Sequence, residues 1–161
     1  MISAAPLKMK WTMSYNFKKG MNDTVIIREV EFDHLPMVSF FVEGEPRPKQ
    51  SFRVSGKGGF TPARVKAWQT DVACDAMLAM RKIERFNQPF ATDLAVTLEF
   101  TLGDRRRVDL DNLSKAVLDG LNGIVYEDDR QIVELHLKKT VRENKKQSQG
   151  VSVTVRALDQ E

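Results

Sequence analysis

Residues 105–132, RRRVDLDNLSKAVLDGLNGIVYEDDRQI, decide how the rest of the chain is read. Asp109 and Asp111 stand two apart, so an extended backbone turns both carboxylates to one side. Asp111 then falls where a helix N-cap is expected. Leu113, Val117, Leu121 and Ile124 recur at the spacing of a buried helical stripe, which leaves Asn112, Lys115, Asp119 and Asn122 on the opposite face. Asn122-Gly123 offers a left-handed stop, and Ile124, Val125 and Tyr126 lead to a second acidic pair, Asp128-Asp129.

A chain that turns back in this way is expected to bring Asp109 and Asp111 close to Asp128 and Asp129. Crowded carboxylates raise one another's pKa or recruit a cation, and oxygen donors without His or Cys suit a hard ion such as Mg²⁺ or Mn²⁺. Lys115, one turn past Asp111, reaches the same place, where an ammonium would offset charge on a phosphate. Each residue also has an ordinary reading. Asp caps helices, Lys115 and Asp119 are spaced for a solvated ion pair, and Asp128-Asp129 suits a turn. The combination in one short span favours a site.

The run Asp-Leu-Asp-Asn-Leu-x-Lys, followed by Asp119, Leu-Asn-Gly and Asp-Asp-x-Gln-Ile, resembles the signature of the RusA family of Holliday junction resolvases, widespread in phages and prophages. The likeness is strong over residues 105–133 and looser over 38–157. It implies that Asp109, Asp111 and Asp129 are metal-binding aspartates, with Asp128 adjacent, Lys115 the accompanying lysine and Mg²⁺ the cofactor. It further implies a homodimer acting on four-way junctions, by paired nicks, in recombination and repair.

The rest of the chain is compatible with a single catalytic domain. It has 161 residues, 42% of them apolar, enough for a core. Its one cysteine, Cys74, has no partner for an internal disulfide, and no apolar run is long enough to span a membrane, so the expected location is cytoplasmic. Residues 1–36 read as an N-terminal extension of unassigned role, with a strand expected near 24–30 and no signal-peptide pattern. The catalytic domain is expected over 37–161. His34 and His136 lack spaced partners and read as ordinary histidines. The net charge is +3, from 25 Lys and Arg against 22 Asp and Glu, so its distribution matters more than its size.

Residues 37–43 read as a strand, closed by Gly44-Glu45-Pro46. Next come Arg47, Lys49, Arg53, Lys57, Arg64 and Lys66 without an acidic residue, expected as two short strands about a glycine tip. They form either a solvated hairpin or a set of phosphate contacts. Arg105, Arg106 and Arg107 are a second candidate for phosphate contact. A helix from Pro62 to about Arg85 carries a stripe of Val65, Trp68, Val72, Ala76, Ala79 and Ile83, with Cys74 assigned to packing. Strands are expected at 94–102 and 131–141, and a last strand at 151–158 is expected to form a hairpin with the one before it. The fold class is therefore α/β (α+β): a single domain, with two main helices against a mixed sheet. A non-catalytic DNA-binding module and a metal-dependent nuclease of flaps are the competing functions.

Overall fold

The structure, a computed structural model, describes residues 35–49, 61–83 and 88–158. The chain divides into two units, Met1–Leu35 and Pro36–Glu161, and the fold below is that of the second. The strand expected near 24–30 and the glycine-tipped hairpin both fall outside the described residues.

The elements follow as β1 (Met37–Glu43), α1 (Ala63–Lys82), β2 (Leu94–Leu102), α2 (Leu110–Leu121), a 3-10 turn (Asp129–Gln131), β3 (Ile132–Val141) and β4 (Gly150–Ala157). The four strands form one mixed sheet in the order β1-β4-β2-β3. β4 runs antiparallel to both β1 and β2, whereas β2 and β3 are parallel. Parallel neighbours need a crossover, and α2 supplies it.

This arrangement overturns the expected β3–β4 hairpin. β4 occupies the centre beside β2, and β3 takes the edge. The reason is legible in side chains. Val151, Val153, Val155 and Ala157 are buried, matching Phe100, Leu98, Val96 and Leu94 opposite them in register. β3 instead carries Glu134, His136, Lys138 and Lys139, which suit a strand with one open edge.

One face of the sheet, built from Leu94, Val96, Leu98, Phe100 and Leu102 of β2 with the β4 valines, is the floor of the core. α1 lays Val65, Trp68, Val72, Ala76 and Met80 on it, close to the expected stripe, while Ala79 and Ile83 pack at its margin. Cys74 departs from expectation: it is exposed, off the buried stripe. α2 buries Leu113, Val117 and Leu121 as its spacing dictates, and also Ala116 and Gly120. At Gly120 the two helices are in close contact, since a Cβ there would lie 2.9 Å from the Gln69 carbonyl oxygen and 3.0 Å from Val72 Cγ1. Gly123, at φ 75°, then takes the left-handed conformation after the C-cap Asn122.

Candidate functional site

α2 begins two residues earlier than its sequence suggests. Asp109, not Asp111, is the N-cap, with extended backbone and no side-chain cap bond, and Asp111 lies in the first turn. The Asp111 carboxylate accepts from Lys115 Nζ at 3.0 Å, a bond that holds it below the usual carboxylate range. Asn112 donates to Asp109 Oδ2 at 3.4 Å, and its own Oδ1 is buried without a partner. The backbone ahead of this corner is tied to the sheet, because Lys139 of β3 donates to the Val108 carbonyl.

Asp128 and Asp129 sit at the start of β3. Asp128 caps the 3-10 turn, accepting from the Arg130 backbone N–H, which keeps its carboxyl low. Gln131 completes a capping box and does more. Its Oε1 accepts from the backbone N–H groups of Glu127 and Asp128, and its Nε2 donates to the carbonyls of Phe90 and Thr92. One side chain thus fastens the acidic turn to the segment that enters β2. The D-x-x-Q spacing of a capping box was the signal for this role in the sequence. Tyr126, fully buried, donates to the Leu118 carbonyl at 2.8 Å. Burial pushes its phenol pKa up, and the charges of Asp129 and Asp119 add to the rise.

The two acidic pairs therefore stand at opposite ends of α2. Asp109 and Asp111 follow the end of β2 and open the helix, whereas Asp128 and Asp129 lie beyond its far end, bound through Gln131 to residues 90 and 92. Ten residues of helix lie beyond Asp111, about 15 Å at 1.5 Å per residue. The expected closure of all four carboxylates within one chain does not occur. Among the described residues no three His, Cys, Asp or Glu side chains form a group able to hold a metal ion. The parallel β2–β3 pairing is responsible, since it requires α2 to carry the chain back along the length of β2.

The cations divide into two sets. Arg47 and Arg106 both bond Glu45, and Arg106 also bonds Asp104, holding that carboxyl low. Lys49 donates to Asp119 Oδ2 at 2.5 Å, and Gln69 reaches the same oxygen at 2.9 Å. Arg64, Lys66, Arg105 and Arg107 are exposed and make no ion pair among the described residues. Arg53 and Lys57 lie outside them. His136 is exposed near Glu134, apart from both acidic pairs.

The aspartates lie on open surface. A cavity of about 500 Å³ opens instead between β1 and α1, beside Phe41, Leu78 and Ile83, and none of the four aspartates lines it. Open carboxylates, with cations that are unpaired among the described residues, suit a polyanion better than a small enclosed ligand. No helix among the described residues is long and apolar enough to cross a membrane.

Comparison with known proteins agrees with this surface chemistry. The chain is 28% identical over 127 residues to the crossover junction endodeoxyribonuclease RusA of Aquifex aeolicus (strain VF5), an alignment covering 74% of this chain and 90% of that protein. The family model described as Endodeoxyribonuclease RusA matches residues 43–156, a span that takes in both acidic pairs, α2, β2, β3 and all of β4 but its last residue, reaching only Glu43 of β1, and the chain accordingly belongs to the RusA endodeoxyribonuclease family.

Proposed function

We propose that this protein is a Mg²⁺-dependent resolvase that hydrolyses phosphodiesters in four-way DNA junctions by paired, symmetric nicks, in DNA recombination and repair. We infer that it works as a homodimer whose sites each draw on both subunits. The observation that carries the composite site is the separation of the two acidic pairs along α2. A C2 dimer is self-complementary, so it can set Asp109 and Asp111 of one copy against Asp128 and Asp129 of the other, twice. β3 supports association. It is an edge strand that exposes Val133, Leu135 and Val141.

The donors fit a hard divalent ion. Asp109, Asp111, Asp128 and Asp129 offer oxygen alone, and Asn112 Oδ1 beside Asp109 is buried without a hydrogen-bond partner among the described residues. Mg²⁺, or Mn²⁺ in its place, would polarise the phosphate and lower the pKa of water. Lys115, half exposed one turn from Asp111, offsets charge developing on the phosphate. Arg64, Lys66, Arg105 and Arg107 make the sequence-independent contacts that orient the duplex arms, and Arg53 and Lys57 extend that set on sequence grounds.

Incubation with Mg²⁺ and labelled junction, flap, duplex and single strand tests this reading. Paired nicks confined to the junction are expected, and Asp111→Asn is expected to bind junction without cutting it. Cleavage of flaps in preference to junctions, or none at all, would refute it.

A further inference from the structure

Asp119 lies on the same face of α2 as Asn112, seven residues on, and it is engaged by two other segments. The backbone N–H of Lys49 donates to the Asn112 carbonyl at 2.8 Å, while its side chain runs on to Asp119 Oδ2 at 2.5 Å. Seven residues of helix rise about 10 Å, so Lys49 is laid along two turns of α2 and fixed at both. Gln69 of α1 donates to the same carboxylate oxygen at 2.9 Å. At its other end the segment 44–49 is held by the Gly44 N–H on the Gln149 carbonyl and by Glu45 on Arg106, just ahead of Asp109. The segment thus straps the connection that presents Asp109 to the helix that presents Asp111.

We propose that Asp119 is a positioning residue: it latches Lys49, and with it the strap 44–49, onto α2, and so withholds Lys49 from the DNA phosphates that the basic stretch otherwise suggests it would meet. The proposal rests on the resolvase reading for its effect on cleavage but not for its effect on binding. A latch has a signature that neither a solvated carboxylate nor a metal ligand shares. In Asp119→Asn the strap loosens and Lys49 is released. Junction binding should then tighten, with a salt slope steeper by ~0.9 because the freed ammonium neutralises one more phosphate. Single-turnover cleavage of bound junction should meanwhile fall by about an order of magnitude through misplacement. Affinity and rate move in opposite directions.

The experiment measures junction binding by anisotropy without divalent ion across a salt series, and single-turnover cleavage across a Mg²⁺ series. It compares wild type, Asp119→Asn, Lys49→Met and the swap of Lys49→Asp with Asp119→Lys. Lys49→Met should lose cleavage without a fall in salt slope, and the swap should regain cleavage over either single change. Thermal unfolding confirms that each variant is folded. Unchanged cleavage in Asp119→Asn, its recovery at high Mg²⁺, or a shallower salt slope in Lys49→Met would each overturn the latch. Should wild type cut no junction, the resolvase reading fails by itself, and the binding arm still decides whether Asp119 withholds Lys49.

Discussion

Asp111→Asn and Asp129→Asn are each expected to be inactive alone, yet a mixture of the two should cut. α2 runs about 15 Å beyond Asp111 before the chain turns toward Asp129, whereas two oxygens on one Mg²⁺, each ~2.1 Å from it, lie within ~4 Å of each other. On the proposed reading, Asp111 and Asp129 of one chain do not share an ion, and a shared site would pair Asp111 of one copy with Asp129 of another. In a heterodimer of the two variants, one site inherits both intact residues and the other inherits both substitutions. Random reassortment gives heterodimers in half of the dimers, each with one working site of two, so about a quarter of wild-type site activity should return. The product also changes, because a dimer with one live site nicks one strand and leaves the junction joined. The assay refolds the variants together or coexpresses them with different tags, then reads each labelled strand on a denaturing gel and junction integrity on a native gel. Absence of cleavage in a mixture whose tags copurify would refute the composite site. A site assembled within one chain gives that result, since neither subunit then holds a complete set.

Gln131→Leu removes four hydrogen bonds at the acidic turn, worth about 2–4 kcal/mol together, and calorimetry should show Tm lowered by roughly 5–15 °C, with cleavage lost more completely than junction binding. Gly120→Ala sets the helix-propensity gain of about 1 kcal/mol against overpacking of about 1–3 kcal/mol at the Gln69 carbonyl and Val72. Chemical denaturation should find the variant less stable by about 1 kcal/mol, and an equal or greater stability would show that α1 and α2 separate freely. Asp104 is held down by its hydrogen bond to Arg106, so its contribution is present above the unfolded value of ~3.9 and is lost as pH falls through the lower folded value. Carboxyl NMR titration should find Asp104 below that ordinary value in the wild type and returned to it in Arg106→Met.

The helix-forming part of the site was legible because periodicity is local. Leu113, Val117 and Leu121 fix which side of α2 is buried, and so which side shows Asp111, Lys115 and Asp119. Gly123 after Asn122 marked the end of the helix for an equally local reason, the need for positive φ. The stripe of α1 was read on the same basis, except that Cys74, counted among its packing residues, lies off the buried face. The Asp-x-Asp-Asn and Asp-Asp-x-Gln motifs were visible as chemistry, and their family likeness is borne out by the match over residues 43–156.

The strand order was not legible, because sequence adjacency favours pairing β3 with β4, while the tertiary fold ranks strands by how much apolar surface each must cover. The valines of β4 claim the centre, and the charges of β3 consign it to the edge. That choice makes β2 and β3 parallel, and the parallel crossover holds the two acidic pairs a helix length apart. Which cations are free is likewise a tertiary matter. Arg47, Lys49 and Arg106 look like phosphate contacts in the sequence; Arg47 meets Glu45 two residues before it, but only the fold brings Glu45 to Arg106 and Asp119 to Lys49. Residue type and local spacing set which groups the chain possesses; long-range packing decides which of them meet, since contacts between segments distant in sequence depend on the order and direction in which the strands bury their apolar faces.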